Sequence, residues 1–367
     1  MSNPNLPVSK SKSNSLRVAL IGCGRILKKH AEILSSNEID GMVLDSVCDI
    51  EPEKAQQAAE KYHVPAFTDM HELMQHRNPD LVTILTPSGL HASHTIELAD
   101  YGKDIIVEKP MALRLKDADS MLVACAKNNC RLFVVKQNRF NLPVVKLREA
   151  LEAGRFGKLV LGTIRVRWCR DQAYYDQDEW RGTWAYDGGV LTNQASHHVD
   201  LLEWMMGEVE SVHARSSTAM VDIETEDTAV ATLKFSNGAL GVIEATTATR
   251  PKDLEGSISI LGATGTVEIS GFAVNEMKTW QFADKQPVDE EIEQYSENPP
   301  NVYGFGHKAF YENVRDSILQ GKPALVDGLE GRKSLELISA LYESIETGKE
   351  VFLRFTPKKC RLGVIDD

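Results

Sequence analysis

Two short segments of the chain carry side chains that could move a proton to or from a hydroxyl group. One is Glu108-Lys109-Pro110, and the other contains Asn193 and His197. An ammonium group can hydrogen-bond a hydroxyl and stabilise the alkoxide that develops as a hydride leaves the same carbon. An imidazole titrates near neutral pH and can take the hydroxyl proton. Lys109 and His197 are therefore candidate catalytic residues for the oxidation of an alcohol, with a solvated surface lysine as the alternative for Lys109.

Asn193 is the third candidate catalytic residue, because it stands four positions before His197 on a predicted helix face. Asp200 follows three positions after the histidine, and residues at such offsets share one face. An amide is not a base, so we assign Asn193 to orienting a hydroxyl and leave proton transfer to His197. The adjacent His198 is expected to face elsewhere, since neighbouring helix positions diverge.

The first element that must position these groups is a strand, turn and helix near the start of the chain. An apolar run ends at Gly22, which permits a tight turn, and Gly24 lets a pyrophosphate approach the backbone. Free amides at Arg25 and Ile26 and the positive helix end favour an anion there. This pattern is a dinucleotide fingerprint with Leu27 at its third position, where Gly or Ala is usual. An ordinary strand-to-helix turn is the alternative.

An acidic residue at the end of the second predicted strand indicates which dinucleotide is bound. Asp49 follows an apolar run a little under thirty residues after Gly22. A carboxylate there accepts hydrogen bonds from ribose hydroxyls and repels a 2′-phosphate, and Glu51 adds to the repulsion. We therefore predict NAD rather than NADP, with a solvated turn aspartate as the alternative interpretation of Asp49.

Strands alternate with helices as far as residue 135, which predicts a doubly wound parallel sheet. Two further loops leave the carboxyl ends of its strands, at the edge where ligands of such sheets bind. The residues of these loops that we expect to contact the cofactor are Thr86, Pro87, His91, Glu108 and Lys109. We also expect a cis peptide bond between Lys109 and Pro110, because such bonds hold tight functional turns.

The pattern changes after residue 136 to a helix followed by many β segments and two final helices. We therefore divide the chain into a disordered tail (1–15), an NAD-binding domain (16–135) and a substrate-binding and oligomerisation domain (136–367). One face of such a sheet is frequently a subunit contact, so we expect a homodimer or homotetramer.

Three motifs, in this order, resemble the Gfo/Idh/MocA oxidoreductase family. They are Gly-x-Gly at 22–24, Thr-Pro-x-x-x-His at 86–91 and Val-Glu-Lys-Pro at 107–110. The resemblance implies a Rossmann domain followed by an α/β domain on a large, mostly antiparallel sheet. It also implies oxidation or reduction of sugars, inositols and related polyols with NAD or NADP. His197 and Asn193 would occupy the histidine and aspartate places of the family's Asp-x-x-x-His motif.

The region before that motif suggests the substrate class. Arg165 and Arg167 share one face of a predicted strand, and Tyr174 and Trp184 follow within one loop. Guanidinium groups bind phosphates bidentately and aromatic rings can cover a base or a sugar, so we predict a nucleotide-sugar site. The alternative is that the arginines pair with nearby carboxylates, namely Asp171, Asp176, Asp178 and Glu179.

Two local segments refine this expectation. Trp-Arg-Gly-Thr-Trp at 180–184 and Asn-Gln-x-x-His at 193–197 resemble family members acting on UDP-linked amino sugars, particularly UDP-N-acetylglucosamine 3-dehydrogenases. We therefore expect NAD-dependent oxidation of C3 of a UDP-N-acetylhexosamine. The alternatives are a dehydrogenase of a free sugar, polyol or inositol, and a catalytically silent dinucleotide-sensing regulator.

Composition excludes several other classes of protein. The 367 residues carry a net charge of −12, which argues against non-specific nucleic-acid binding. The first fifteen residues lack an apolar stretch typical of a signal peptide or membrane span, so no membrane association is expected. Six cysteines without C-x-x-C spacing fit reduced thiols in a cytoplasmic protein. His91 and His94 alone offer too few ligands, so we predict no metal.

Overall fold

The computed structural model describes residues 15–36, 38–296 and 304–353, so the predicted tail, apart from Ser15, lies outside the described residues. The first half of the chain forms a six-stranded parallel sheet in the order β3-β2-β1-β4-β5-β6. Its strands are β1 (Leu16–Ile21), β2 (Met42–Cys48), β3 (Ala66–Phe67), β4 (Leu81–Ile84), β5 (Asp104–Val107) and β6 (Leu132–Val134). The strand order reverses between β1 and β4, which is where open α/β sheets bind ligands.

Five helices connect these strands, as the alternation predicts. They are α1 (Leu27–Ser35), α2 (Pro52–Tyr62), α3 (Met70–Arg77), α4 (His91–Ala99) and α5 (Leu115–Lys127). The predicted doubly wound parallel sheet is therefore confirmed. The alternation gives no signal for β3, which has only two residues.

The second half forms an eight-stranded sheet in the order β13-β12-β11-β7-β10-β9-β8-β14. The strands are β7 (Leu159–Arg167), β8 (Val209–Ser217), β9 (Thr228–Phe235), β10 (Leu240–Thr246), β11 (Glu255–Gly262), β12 (Gly265–Ser270), β13 (Glu276–Phe282) and β14 (Val351–Phe352). β7 and β10 run parallel and the other neighbouring pairs are antiparallel, which confirms the mostly antiparallel sheet.

Helices cover one face of this second sheet. They are α6 (Leu142–Glu152), α8 (Ser196–Met206) and α10 (Gly328–Thr347). The second half also contains the short α7 (Gln172–Tyr175) and α9 (Gly306–Gln320). α8 packs closely on β7 because Gly162 has no side chain: a Cβ atom there would lie 2.6 Å from Met206. The core contains Ile164, Val166 and Val199. No helix within the described ranges is long and apolar enough to cross a membrane.

One helix of the second half returns to the first sheet. Phe310, Tyr311 and Val314 of α9 are buried in the same core as Val18 and Leu20 of β1. α9 therefore follows residue 135 in the chain but packs in the first domain, against residues almost three hundred positions earlier. Through α9, the end of the described chain helps to shape the cofactor side of the cleft.

Candidate active site

A cleft of about 1870 Å³ lies between the two sheets, at the carboxyl ends of the strands of the first. Most of the predicted site residues line it: Gly22, Gly24, Arg25, Ile26, Asp49, Thr86, Pro87, His91, Glu108, Lys109, Tyr174, Asn193 and His197. Pockets for a single small ligand usually measure roughly 300–1,000 Å³. The cleft therefore has room for a cofactor and a second sizeable ligand.

The turn after β1 has the shape that a dinucleotide pyrophosphate requires. Gly22 has φ +105°, and a Cβ atom there would lie 2.7 Å from the backbone of Leu85. Gly24 faces open space, since a Cβ atom at this position would have no neighbour within 4 Å. Within the described part of the chain, the amides of Gly24, Arg25 and Ile26 have no acceptor. They form a cradle of free donors at the start of α1, which fits the phosphates of NAD.

Asp49 closes this turn. Its Oδ2 accepts a hydrogen bond from the Cys23 amide at 2.7 Å, and its Oδ1 accepts one from the Glu51 amide at 2.9 Å. Each carboxylate oxygen retains a further lone pair that can accept a ribose hydroxyl. Leu27, which departs from the usual fingerprint, is buried in the core beneath the turn.

Lys109 follows β5 and reaches across the cleft. The Lys109–Pro110 peptide bond is cis, as the tripeptide suggests. Lys109 Nζ donates to the carbonyl oxygen of Asn193 at 2.6 Å and lies 3.4 Å from its Oδ1. Burial lowers the pKa of Lys109, although the charges of Glu108 and Asp187 oppose that change. An ammonium has three donors, so one N–H remains for a ligand hydroxyl.

Glu108 is held beneath Lys109 by a buried network that sequence reasoning did not find. Its Oε1 lies 2.9 Å from Nε2 of His30, whose Nδ1 lies 2.7 Å from the Tyr311 hydroxyl. Its Oε2 accepts the Lys109 amide hydrogen bond at 2.9 Å. Burial alone would raise the pKa of Glu108, but hydrogen bonds from His30 and His307 hold it well below its ordinary value. The carboxylate is therefore a fixed negative charge next to the lysine.

The His30, Glu108 and His307 side chains are close enough to surround a metal ion. The 2.9 Å contact between His30 and Glu108 is a direct hydrogen bond, so these two groups satisfy each other without an ion. The signal for this network in the sequence is a histidine on the apolar face of α1, beside Leu27, Ala31 and Leu34.

His91 has a structural role in the described geometry. Its Nδ1 and Nε2 lie 2.8 Å from the carbonyl oxygens of Pro110 and Thr86. It therefore ties the loop after β4 to the loop that carries Lys109. His94, three residues later, contacts the Thr86 hydroxyl at 3.0 Å.

Asn193 and His197 enter the cleft from a turn of π-helix, Val190–Gln194, and from the first turn of α8. His197 Nε2 lies 2.9 Å from the Gln137 carboxamide, whose Oε1 has no partner in the described residues. Turning this carboxamide would let Oε1 accept the Nε2 proton and leave Nδ1 of His197 as the basic atom. Burial, with Lys109 and Lys136 nearby, lowers the pKa of His197 well below its ordinary value. The neutral ring can accept a proton.

The neighbours of His197 do not enter the cleft. His198 packs against Trp168, with ring centroids 5.7 Å apart, as the divergence of adjacent helix positions predicts. Asp200 accepts two hydrogen bonds from the Arg139 guanidinium at 2.7 and 2.8 Å. The spacing of Asp200 from His197 thus reflects a buried ion pair rather than a third cleft residue.

Three predicted substrate-binding residues lie outside the cleft. Arg165 is paired with Glu255 and Glu268 at 3.1 and 3.2 Å on the face of the second sheet away from α8. Arg167 on the same face is paired with Glu244 at 2.6 Å. Period-two alternation correctly puts both arginines on one face. Neither arginine lines the cleft, although Glu255 at the end of that face does, and the carboxylates that pair with them come from β10, β11 and β12.

Trp184 is half-exposed and packs edge-on against Tyr342 with ring centroids 5.5 Å apart. It is not among the residues that line the cleft.

Other cations line the cleft instead. The Arg181 guanidinium lies 4.8 Å from the Tyr174 ring centre and donates to the Tyr174 hydroxyl at 3.0 Å. The Arg170 guanidinium lies 5.4 Å from the centre of the same ring and pairs with Asp253 at 3.0 Å. Lys252 also lines this wall. In the sequence, the nearby Tyr174 and Trp180 indicate such a cluster, since guanidinium groups stack on aromatic rings.

Glu226 and Tyr342 support the π-helical turn from behind. Glu226 Oε1 accepts hydrogen bonds from the Leu191 amide at 3.0 Å and the Tyr342 hydroxyl at 2.9 Å. Burial raises the pKa of Glu226 to about 7. A second buried carboxylate, Asp187, accepts a hydrogen bond from the Asn193 carboxamide. Neither acid is singled out by the sequence. Glu226 contacts residues that are distant in the chain, and the six-residue separation of Asp187 from Asn193 belongs to no known motif.

A parallel nucleotide-binding sheet, a second sheet and a lysine and histidine facing each other across a cleft define a two-domain NAD-dependent oxidoreductase. Comparison with known proteins agrees. A family model described as "Oxidoreductase family, NAD-binding Rossmann fold" matches residues 16–136, and "Oxidoreductase family, C-terminal alpha/beta domain" matches residues 148–353. The chain belongs to the Gfo/Idh/MocA oxidoreductase family, and it is an NAD-dependent dehydrogenase.

Individual relatives cover nearly the whole chain. The myo-inositol 2-dehydrogenase of Thermotoga maritima is 31% identical over 92% of this chain and 98% of its own. The WlbA dehydrogenase of Bordetella pertussis, solved with NADH and UDP-GlcNAcA, is 42% identical, with a TM-score of 0.90 over 94% of this chain and 100% of its own. The WlbA dehydrogenase of Chromobacterium violaceum, solved with the same ligands, is 41% identical, with a TM-score of 0.89 over 96% and 100%.

The raised pKa of Glu226 predicts how stability depends on pH. The folded protein binds this proton more tightly than the unfolded chain does. The resulting stabilisation is complete below pH 4.5 and is lost as pH rises through about 7. The loss amounts to about 3 kcal/mol at pH 8. Glu226→Gln should remove it, so urea unfolding at pH 5 and pH 8 should show a smaller decline in the variant than in the wild type.

The matched control is Glu224→Gln, at an exposed position two residues earlier. It should decline with pH as the wild type does. If Glu226→Gln and the wild type lose stability in parallel between pH 5 and pH 8, the account of Glu226 is wrong.

Proposed function

We propose that this dehydrogenase oxidises a ring hydroxyl of a UDP-linked N-acetyl amino sugar, at C3, with NAD as the hydride acceptor. The observation that carries the proposal is the cleft, which has room for two ligands and is lined by cations and aromatic rings next to the dinucleotide turn. The two WlbA dehydrogenases solved with UDP-GlcNAcA support the substrate class. The assignment of C3 rests on the resemblance of residues 180–184 and 193–197 to UDP-N-acetylglucosamine 3-dehydrogenases.

The diphosphate of such a substrate needs cations, and the cleft offers Arg170, Arg181 and Lys252. Each arginine has one carboxylate partner, Asp253 or Asp178, which leaves further guanidinium N–H groups for phosphate oxygens. These residues replace Arg165 and Arg167 in our proposal. Tyr174 lines the cleft beside these guanidinium groups and supplies aromatic surface for the sugar or base.

The chemistry divides among three residues of the chain. NAD, when bound, accepts the hydride from the carbinol carbon. Lys109 keeps one N–H for the reacting oxygen and stabilises its developing negative charge. His197 accepts the hydroxyl proton, which its lowered pKa allows because the ring is neutral at pH 7. Asn193 fixes the position of the Lys109 ammonium through its carbonyl oxygen.

A dehydrogenase of free inositol or another polyol is the second candidate. The relative named myo-inositol 2-dehydrogenase favours it, because it matches this chain over almost its full length. A free polyol would leave the cationic wall without an anion to bind. A sensor without catalysis would need neither Lys109 nor His197, yet both line the same cleft.

Substrate assays separate the candidates. We expect NADH formation with UDP-N-acetylglucosamine or with its uronic acid, and none with free myo-inositol or glucose. Arg170→Gln should raise KM for the nucleotide sugar by about ten- to a hundred-fold, the contribution of a charged hydrogen bond. Arg215→Gln, a control at an exposed position of β8 outside the cleft, should change KM little. Turnover of free polyols alone would contradict the nucleotide-sugar proposal.

Substitution of the two groups that face the reacting oxygen tests the mechanism. Lys109→Ala and His197→Ala should each lower kcat by about 10²–10⁴, as expected for loss of a positioned acid–base group. NAD binding, measured by calorimetry, should persist because the pyrophosphate turn is unchanged. Lys127→Ala, at an exposed position on α5, serves as the control. Wild-type turnover in both active-site variants would refute the assignment.

The open face of the second sheet supports the proposal of a homodimer or homotetramer. Val230 and Leu240 on this face are 50% and 56% exposed, and Val242 lies between them on the same side. Contiguous exposed apolar groups on a sheet indicate a subunit contact. Leu240→Glu should reduce the mass measured by light scattering to that of a monomer, whereas Val123→Glu on exposed α5 should not. A monomeric wild type would contradict the proposal.

A further inference from the structure

Asp187 is a buried carboxylate that neither lines the cleft nor belongs to a motif. It is 1% exposed and stands in the loop between α7 and the π-helical turn. Its Oδ2 accepts a hydrogen bond from the Gly182 amide at 2.8 Å. Its Oδ1 accepts a hydrogen bond from Nδ2 of Asn193. Both oxygens are thus engaged by N–H donors, as suits an ionised carboxylate.

The contact with Asn193 continues to Lys109. The Asn193 carboxamide gives its N–H to Asp187 and turns its Oδ1 towards the Lys109 ammonium, 3.4 Å away. The backbone carbonyl of the same residue accepts the shorter 2.6 Å hydrogen bond from Lys109. Asp187, Asn193 and Lys109 therefore form a chain of anion, amide and cation.

This order matters because an amide has two different ends. An ionised carboxylate only accepts hydrogen bonds, so it holds the NH2 end of Asn193 and prevents the carboxamide from turning round. If it turned, an NH2 group would face the ammonium of Lys109. Asn193 itself carries no charge, yet it stands where the family's Asp-x-x-x-His motif has an aspartate.

We propose that Asp187 is a positioning residue, which supplies through the Asn193 carboxamide the negative charge that an aspartate at position 193 would place directly beside Lys109. The carboxylate that position 193 lacks is thus replaced by that of Asp187, which lies in the protein interior and is separated from the cleft by the Asn193 carboxamide. Its role in catalysis rests on the proposed function, but its effect on Lys109 is independent of the substrate.

The charged groups around Lys109 define what must be measured. Glu108 and Asp187 favour the ammonium, Lys136 and Arg181 oppose it, and His197 faces it as a neutral ring. Removing the charge of Asp187 leaves Glu108 as the remaining favourable anion in this set. An opposite charge nearby changes a pKa by about one to three units, so the change is measurable.

The test exchanges the two side chains. Asp187→Asn should lower the pKa of Lys109 by about one unit, because the anion is lost and the Asn193 carboxamide is free to turn. Asn193→Asp should raise this pKa, since it puts a carboxylate next to the ammonium. The double variant D187N/N193D reverses the hydrogen bond but restores one carboxylate and one amide, so its Lys109 pKa should return to the wild-type value or above.

The full-length protein with NAD bound is acetylated with acetic anhydride at a series of pH values. Mass spectrometry of the peptide that contains Lys109 then gives the extent of its acetylation, and the pH dependence gives the pKa of Lys109. Activity is measured in parallel with UDP-N-acetylglucosamine and its uronic acid. Asp187→Asn should lower kcat with little change in the KM for NAD, and the double variant should recover most of kcat.

Each outcome decides the proposal. An unchanged Lys109 pKa in folded Asp187→Asn would show that Asp187 serves only the Gly182 turn, and would overturn it. If Asp187→Asn does not fold, the double variant decides: a wild-type or higher Lys109 pKa supports the proposal and a lower one overturns it. Absence of turnover in the wild type would refute the proposed function alone, because the Lys109 titration does not require a substrate.

Discussion

The hydrogen bond from Lys109 to the carbonyl oxygen of Asn193 is the contact on which the active site depends. It joins the end of β5 in the first sheet to the π-helical turn before α8 in the second half, at 2.6 Å. It brings the lysine of the first sheet next to the turn that leads to the histidine. Its strength comes from a positive donor in a partly buried setting, where charge-assisted hydrogen bonds are short and strong.

Burial also fixes the protonation states of the groups around this contact. Glu108 is kept ionised beneath the lysine by His30 and His307, while His197 is kept neutral by burial and two nearby ammonium groups. The same cleft thus holds an ionised carboxylate, an ammonium group whose pKa is lowered by burial, and a neutral imidazole. Groups whose pKa values are driven apart in this way are typical of acid–base sites.

Local patterns in the sequence predict the parts of this site that depend on neighbouring residues. The strand, glycine turn and helix around Gly22, the strand ending in Glu108-Lys109 and the helix carrying His197 are all local features, and the structure contains each of them. The Rossmann sheet, the mostly antiparallel sheet, the cofactor and the family follow from these motifs. His198 facing away from the cleft also follows from helical geometry alone.

The remaining features depend on partners distant in sequence. Period two puts Arg165 and Arg167 on one face, but only the packing of α8 decides that this face is the outer one. β13 lacks a clear alternation of buried and exposed residues, and β14 has two residues, so neither has a local signal. Tyr311 reaches the site through α9, which packs against β1 from the far end of the described chain. Asp187 acts through Asn193, and no spacing reveals that contact.

The most direct test of the account is to follow the hydride itself. UDP-N-acetylglucosamine and its uronic acid, each labelled with deuterium at C3, would be mixed with the NAD-loaded protein for a single turnover, and the nicotinamide product analysed by mass spectrometry. The account predicts that the reduced cofactor carries the deuterium and that the sugar becomes the 3-keto product. Reduced cofactor without deuterium, or no reduced cofactor with either sugar while a free polyol reacts, would contradict it.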